Sequence, residues 1–114
     1  KREFNRIPEN LPIQYAIIPA LNTKNLESYE KARMENISEG GMLFESTELI
    51  PIGSVLQIEI RPSGAEVLKV TGKVVRLEEF ENEKKFEIGV MFTHHDENET
   101  RTIIRYIQRL NEKS

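Results

Sequence analysis

Cysteine is absent from the 114 residues, which excludes disulfides, zinc–thiolate sites and thiol nucleophiles. Tryptophan is absent as well, and the aromatic residues together make up 7% of the chain, little for a surface that stacks a run of unpaired bases. No apolar run approaches the ~20 residues that span a bilayer, and no signal-peptide apolar core is present, so direct membrane insertion is not expected. Basic charge is not in excess: 16 Lys and Arg against 19 Asp and Glu leave a net charge of −3. That balance argues against DNA, RNA or an anionic membrane as partners, each of which favours a basic surface. A small anionic ligand needs only a few local cations and stays open. Histidine is confined to the adjacent pair His94 and His95. Neighbours on a strand point to opposite faces, which makes joint metal ligation awkward. No nucleophile–base pair or metal cluster emerges from the remaining residues, so no enzyme is expected.

What is present is ordinary globular material, 38% hydrophobic and 31% charged. A chain of this length folds as one domain and buries roughly 65% of its unfolded surface. Residues 1–10 (KREFNRIPEN) are polar, carry three cations and read as an arm. Strand signals follow at 11–19, 31–37 and 42–46, with a loop over 22–30 and a turn at Ser38-Glu39-Gly40-Gly41. Residues 55–61 (VLQIEIR) alternate apolar and polar, the mark of a half-buried strand. Past the turn at 62–65, a long strand runs over 66–79 with Gly72 near its middle, where a bulge or barrel bend is expected. A hairpin at 81–83 leads to a last strand at 85–93. The period then changes. Asp96 and Glu99 form a candidate capping box, and Ile103, Ile104, Ile107 and Leu110 share one face of a helix expected at about 97–111. Six antiparallel strands and a helix make an all-β domain, and closure into a barrel disposes of its edges. The expected organisation is an arm at 1–10, a barrel at 11–93 and a C-terminal helix at 96–112. Read this far, the pattern suits an OB-fold or another Greek-key barrel equally.

Two patches carry chemistry. Arg2 and Arg6 stand four apart in the arm. Guanidinium groups keep their charge, fork onto phosphate or a guanine edge, and stack on flat rings. Alone, the pair is equally a solvated basic terminus. The second patch is Asn36-Ile37-Ser38-Glu39-Gly40-Gly41. Strand alternation sends Asn36 and Ser38 to one face, where an amide oxygen could accept from guanine and a hydroxyl could both donate and accept. Gly41 suits a backbone with positive φ or the close approach of a ligand. Alone, these are also ordinary turn residues. Arg76 on the long strand reads first as an ion-pair partner, with lining of a ligand site as the other reading. The acidic residues at 78–79 and 81–83 read as solvated hairpin ends.

Taken together and in order, Arg2-Glu3-Phe4-Asn5-Arg6 and Asn36-Ile37-Ser38-Glu39-Gly40-Gly41 resemble the PilZ domain, with its RxxxR and [DN]xSxxG motifs. The resemblance extends to Met42-Leu43-Phe44, Gly72-Lys73-Val74-Val75-Arg76 and Ile88-Gly89-Val90-Met91-Phe92, and covers the chain to about residue 110. It implies a six-stranded antiparallel Greek-key β-barrel with a C-terminal α-helix. It also implies a receptor for cyclic di-GMP, with that ligand and no other cofactor. The implied ligand residues are Lys1, Arg2, Arg6, Asn36, Ser38, Gly40 and Gly41. Arg2 and Arg6 would hold phosphate and a guanine edge, Asn36 and Ser38 would read a guanine from the other side, and the glycines would shape the loop. In the family the residue before the first arginine influences whether one nucleotide or an intercalated pair is held. Lys1 leaves room and adds charge, which leans towards two. The chain opens on Lys1 rather than Met, so a region upstream is expected. Ligand state would be relayed to that region or to a docked effector protein, in the cytoplasm. Two alternatives stand beside this reading: a PilZ-like interaction domain that binds no nucleotide, and an OB-like binder of single-stranded nucleic acid.

Overall fold

The computed structural model describes residues 7–18, 29–62, 67–80, 82 and 84–113. Its elements are β1 (Ile7–Pro8), β2 (Pro12–Ile17), β3 (Glu30–Ile37), β4 (Gly41–Ser46), β5 (Val55–Ile60), β6 (Leu68–Phe80), β7 (Lys85–Phe92) and α1 (Glu97–Lys113). The strands form where β-branched and aromatic residues alternate with polar ones. In β5, Leu56, Ile58 and Ile60 are buried while Gln57 and Glu59 are half-exposed. In β4, Met42, Phe44 and Ser46 turn inward.

All pairings are antiparallel, in the order β1-β3-β2-β5-β6-β7-β4, and β4 pairs back onto β3. That last pairing closes six strands into a barrel, leaving the two-residue β1 on the flank of β3. β2, β3 and β4 are consecutive neighbours and β5 returns beside β2, which is the Greek-key arrangement. The fold expected from the sequence is the one observed.

The inward residues of all six barrel strands join Ile103, Tyr106 and Ile107 of α1 in one core. The Tyr15 hydroxyl meets Ser46 Oγ at 3.1 Å inside it, so this buried polar pair is mutually satisfied. Two expectations about β6 and α1 change. The bulge in β6 falls between Val74 and Arg76, not at Gly72. Gly72 is buried, and a Cβ there would overlap the Val90 side chain, so its lack of a side chain serves inward packing. On α1, Ile104 is only half-buried at the margin of the apolar face, and Tyr106 takes the buried place beside Ile103 and Ile107.

The helix start is built as the capping residues imply. Asp96 Oδ1 accepts from the backbone N–H of Asn98 at 2.8 Å and of Glu99 at 3.1 Å. The Glu99 carboxylate accepts from Thr71 Oγ1 on β6 at 3.5 Å, so the residue expected to complete a capping box ties the helix to the barrel. No helix among the described residues is long and apolar enough to cross a membrane.

Candidate ligand-binding face

The chain enters the described structure at Ile7, and β1 fixes that entry beside the second sequence motif. Ile7 pairs with Ile37 and Pro8 with Asn36. The next residue is fastened twice. Glu9 N–H donates to the Glu35 carbonyl at 3.1 Å, and its carboxylate accepts from the buried Tyr106 hydroxyl at 3.2 Å. Burial, with the Glu9 carboxylate second, pushes the Tyr106 hydroxyl well above its ordinary pKa, so it stays a donor at any physiological pH. The root of the arm is thereby locked to β3 and to α1. Lys1, Arg2 and Arg6 themselves lie outside the described residues.

The turn between β3 and β4 is closed by its own members. Ser38 is buried, and its N–H donates to the Gly41 carbonyl at 2.8 Å. Ser38 Oγ accepts from Gly40 N–H at 3.2 Å and lies 3.4 Å from the Gly41 carbonyl it donates to. Ser38 therefore does not stand on the outer face beside Asn36 as strand alternation suggested. β3 ends at Ile37, and the turn that begins at Ser38 breaks that alternation. Gly41 also differs from expectation. Among the described glycines only Gly53 has positive φ, at 99°. A Cβ on Gly41 would overlap the Val90 carbonyl oxygen, so what approaches Gly41 closely is the backbone of β7. Gly40 contributes its carbonyl, which accepts from Phe92 N–H at 2.9 Å.

His94 holds the same turn from outside. Its φ of 56° lies in the left-handed region, which a non-glycine residue occupies at a cost. There Nε2 donates to the Glu39 carbonyl at 3.1 Å, and Nδ1 lies 3.2 Å from Thr100 Oγ1 on α1. The histidine thus bridges turn and helix. Among the described residues no cluster able to hold a metal ion occurs.

The outer surface of β3, β4, β7 and β6 is ordered in rows by the strand registers. One row runs Pro8, Asn36, Leu43, Gly89, Arg76. On its turn side lies Gly41, Met91, Lys73, and on its other side Arg33, Glu45, Glu87, Glu78. The last row is acidic, and Glu35, the extra residue of the β3 bulge, joins it. Burial, then hydrogen bonding to Glu87 and Glu45 and their negative charge, pushes the Glu35 carboxyl up to about 8, so it keeps its proton at neutral pH. Arg76 pairs with Glu78 at 3.2 Å, as the sequence suggested for it.

The sequence profile of the PilZ domain matches residues 1–109. The chain belongs to the PilZ domain family. Solved structures share the fold of this PilZ domain at low identity. The Bacillus subtilis inhibitor of motility (MotI/DgrA) superimposes with a TM-score of 0.74 at 16% identity, over 100% of this chain and 53% of that one. The PilZ domain of Escherichia coli YcgR with c-di-GMP gives 0.73 at 18% identity, over 99% of this chain and 93% of that one. The K. pneumonia MrkH–c-di-GMP complex gives 0.75 at 13% identity, over 99% and 52%. The chain thus spans about half the length of MotI (53%) and of MrkH (52%) and nearly all of the isolated YcgR domain (93%). Among curated proteins none matches it.

Sequence reasoning missed Glu9, Tyr106 and His94 as parts of this site. Glu9 and Tyr106 are 97 residues apart, and no local pattern links them. His94 offered a weak signal, a histidine between a strand end and a helix cap.

Proposed function

We propose that this PilZ domain is a receptor for cyclic di-GMP that binds without catalysis. The observation that carries this reading is the pairing of Ile7 and Pro8 with Ile37 and Asn36. Arg6 directly precedes Ile7 in sequence, so the first motif ends one residue before a strand that pairs with the second motif's Asn36 and Ile37. YcgR and MrkH, named above as complexes with c-di-GMP, share the fold and support the choice of ligand.

In the proposed complex Arg2 and Arg6 fork onto phosphate and a guanine edge. Asn36, half-buried on the outer face, reads guanine donors. Ser38, Gly40 and Gly41 act mainly by setting the shape of the turn, and Lys1 adds charge against a second, intercalated nucleotide. The signal is ordering. Fixing a free arm costs about 1–2 kcal/mol per residue in backbone entropy, which phosphate contacts offset only while the ligand is present. The ordered arm then becomes a new surface for an upstream domain or an effector protein in the cytoplasm.

Calorimetric titration with cyclic di-GMP, against GMP and cyclic di-AMP, tests the proposal. Arg2→Ala and Arg6→Ala are each expected to lose about 1.5–3 kcal/mol, the cost of a hydrogen bond to a charged group, or roughly 10- to 150-fold in affinity. Wild-type affinity in either variant refutes the assignment of that arginine. Arg→Lys should recover little, because lysine keeps the charge and loses the fork. The same titration against quantified protein reads the stoichiometry, for which two nucleotides per chain are expected.

A further inference from the structure

The Glu39–Gly40 peptide unit at the tip of the β3–β4 turn is gripped on both sides. Its N–H, on Gly40, donates to Ser38 Oγ at 3.2 Å, and its carbonyl, on Glu39, accepts from His94 Nε2 at 3.1 Å. The first bond lies within the motif, and the second comes from 55 residues away. Neither Glu39 nor Gly40 has positive φ, so this is not one of the mirror-image turns whose twist suits a short hairpin. Rotating the Glu39–Gly40 peptide carries Gly40 to positive φ, as in a type II turn, which a glycine adopts without steric cost. That rotation exchanges the directions of the carbonyl and the N–H and breaks both bonds. The backbone thus has two turn conformations open to it, and the two side chains that grip the peptide select one.

His94 does this at a cost to its own backbone. Its φ of 56° lies in the left-handed region, which such a residue keeps only where its surroundings impose it. Just before it, Thr93 N–H donates to the Thr71 carbonyl at 3.0 Å. The Phe92 ring meets the imidazole edge to face, 6.1 Å between centroids, and Nδ1 lies 3.2 Å from Thr100 Oγ1 on α1. Strand end, turn and helix are joined through this one ring. The same helix holds the arm root through Tyr106 and Glu9. Tyr106 follows Thr100 by six residues, roughly 9 Å along the helix axis.

We propose that His94 is a positioning residue of the nucleotide site: anchored on α1, its imidazole holds the Glu39 carbonyl and keeps the Ser38–Gly41 turn in the conformation that meets the ligand. This inference rests on the receptor reading above. It places a determinant of affinity outside both motifs, in a side chain that acts through the turn and not on the nucleotide itself.

The test compares two amides. In His94→Gln the amide nitrogen reaches the place of Nε2, whereas in His94→Asn it reaches only that of Nδ1. Asparagine is among the residues that best tolerate left-handed φ, so a merely structural role for His94 favours His94→Asn. The positioning role favours His94→Gln. In calorimetric titration with cyclic di-GMP, His94→Gln should keep most of the wild-type affinity. His94→Asn should bind about 2- to 10-fold more weakly, the shift that one net hydrogen bond makes in a two-state ratio. His95→Asn removes the neighbouring imidazole, which bonds Thr93 rather than the turn, and should leave affinity unchanged. Without ligand, amide exchange at Gly40 should quicken in His94→Asn and hold the wild-type rate in His94→Gln. Wild-type affinity in His94→Asn, an equal loss in both His94 variants, or the same loss in His95→Asn overturns the proposal. Unchanged Gly40 exchange in His94→Asn overturns it as well. A wild-type chain that takes up no cyclic di-GMP removes the receptor reading and the positioning role with it. The exchange measurement, which needs no ligand, then shows whether His94 still holds the turn.

Discussion

Replacing Gly41 by alanine separates two explanations of its place in the motif. If the glycine makes room for ligand, the variant folds normally and binds poorly. If it makes room for β7, the variant is unstable with or without ligand. The new Cβ would overlap the Val90 carbonyl oxygen, with Val90 C at 3.2 Å and Met91 Cα at 3.3 Å. All three are backbone atoms of a paired strand and have no rotamer by which to withdraw. Relief requires β4 to lift from β7, loosening the bonds from Ser38 N to the Gly41 carbonyl at 2.8 Å and from Phe92 N to the Gly40 carbonyl at 2.9 Å. Overpacking costs about 1–3 kcal/mol and each of the two loosened hydrogen bonds about 0.5–1.5 kcal/mol, so a total of roughly 2–6 kcal/mol is expected. At about 4 °C per kcal/mol for a domain of this size, the melting temperature should fall by about 8–24 °C. Thermal and urea unfolding followed by circular dichroism read this directly. A Gly41→Ala protein that melts with the wild type yet fails to bind cyclic di-GMP would refute the reasoning and assign the glycine to the ligand.

Tyr106→Phe removes the hydroxyl held by Glu9 at 3.2 Å and should cost about 1 kcal/mol of stability, with faster amide exchange at Glu9, whose N–H anchors the arm root to β3; unchanged exchange there would show that the link is idle. The Glu35 carboxyl titrates near 8 in the folded protein against an ordinary 4.5. Between those values the folded state holds a proton the unfolded chain has lost, so stability should fall as pH rises through that window, and Glu35→Gln should flatten the dependence in urea titrations. Asp96→Ala leaves the Asn98 and Glu99 N–H groups without their cap and should cost about 1 kcal/mol, read as an earlier melt of the helical signal at 222 nm.

The elements of this fold were legible where local pattern decides them. β5 declares itself by alternation and α1 by its spacing of isoleucines behind Asp96, and both form where the pattern places them. The irregularities were not legible, because each is a property of a pair of strands. The bulges at Glu35 and Val75 exist only in register against β4 and β7. Gly72 and Gly41 look like bend and turn glycines in the sequence, yet the atoms that exclude a side chain there belong to Val90, distant in the chain. Tyr106 was passed over because a tyrosine on a helix gives no local sign that its hydroxyl will be buried against Glu9. The Asn36–Gly41 segment was legible as a turn, and its neighbourhood to the arm followed only from β1.

The motif residues consequently divide by what the fold asks of them. Ser38 and Gly41 are required by the barrel itself: one satisfies the turn with both its backbone and its hydroxyl, the other lets β4 meet β7. A domain that lost its ligand would keep both for stability. Arg76 has no such duty, since its side chain is 62% exposed and its one ion pair is a surface contact. The arginines of the arm precede β1 in the sequence. On the receptor reading, discrimination between ligands would therefore fall to exposed cations of the outer face rather than to the residues that hold the turn.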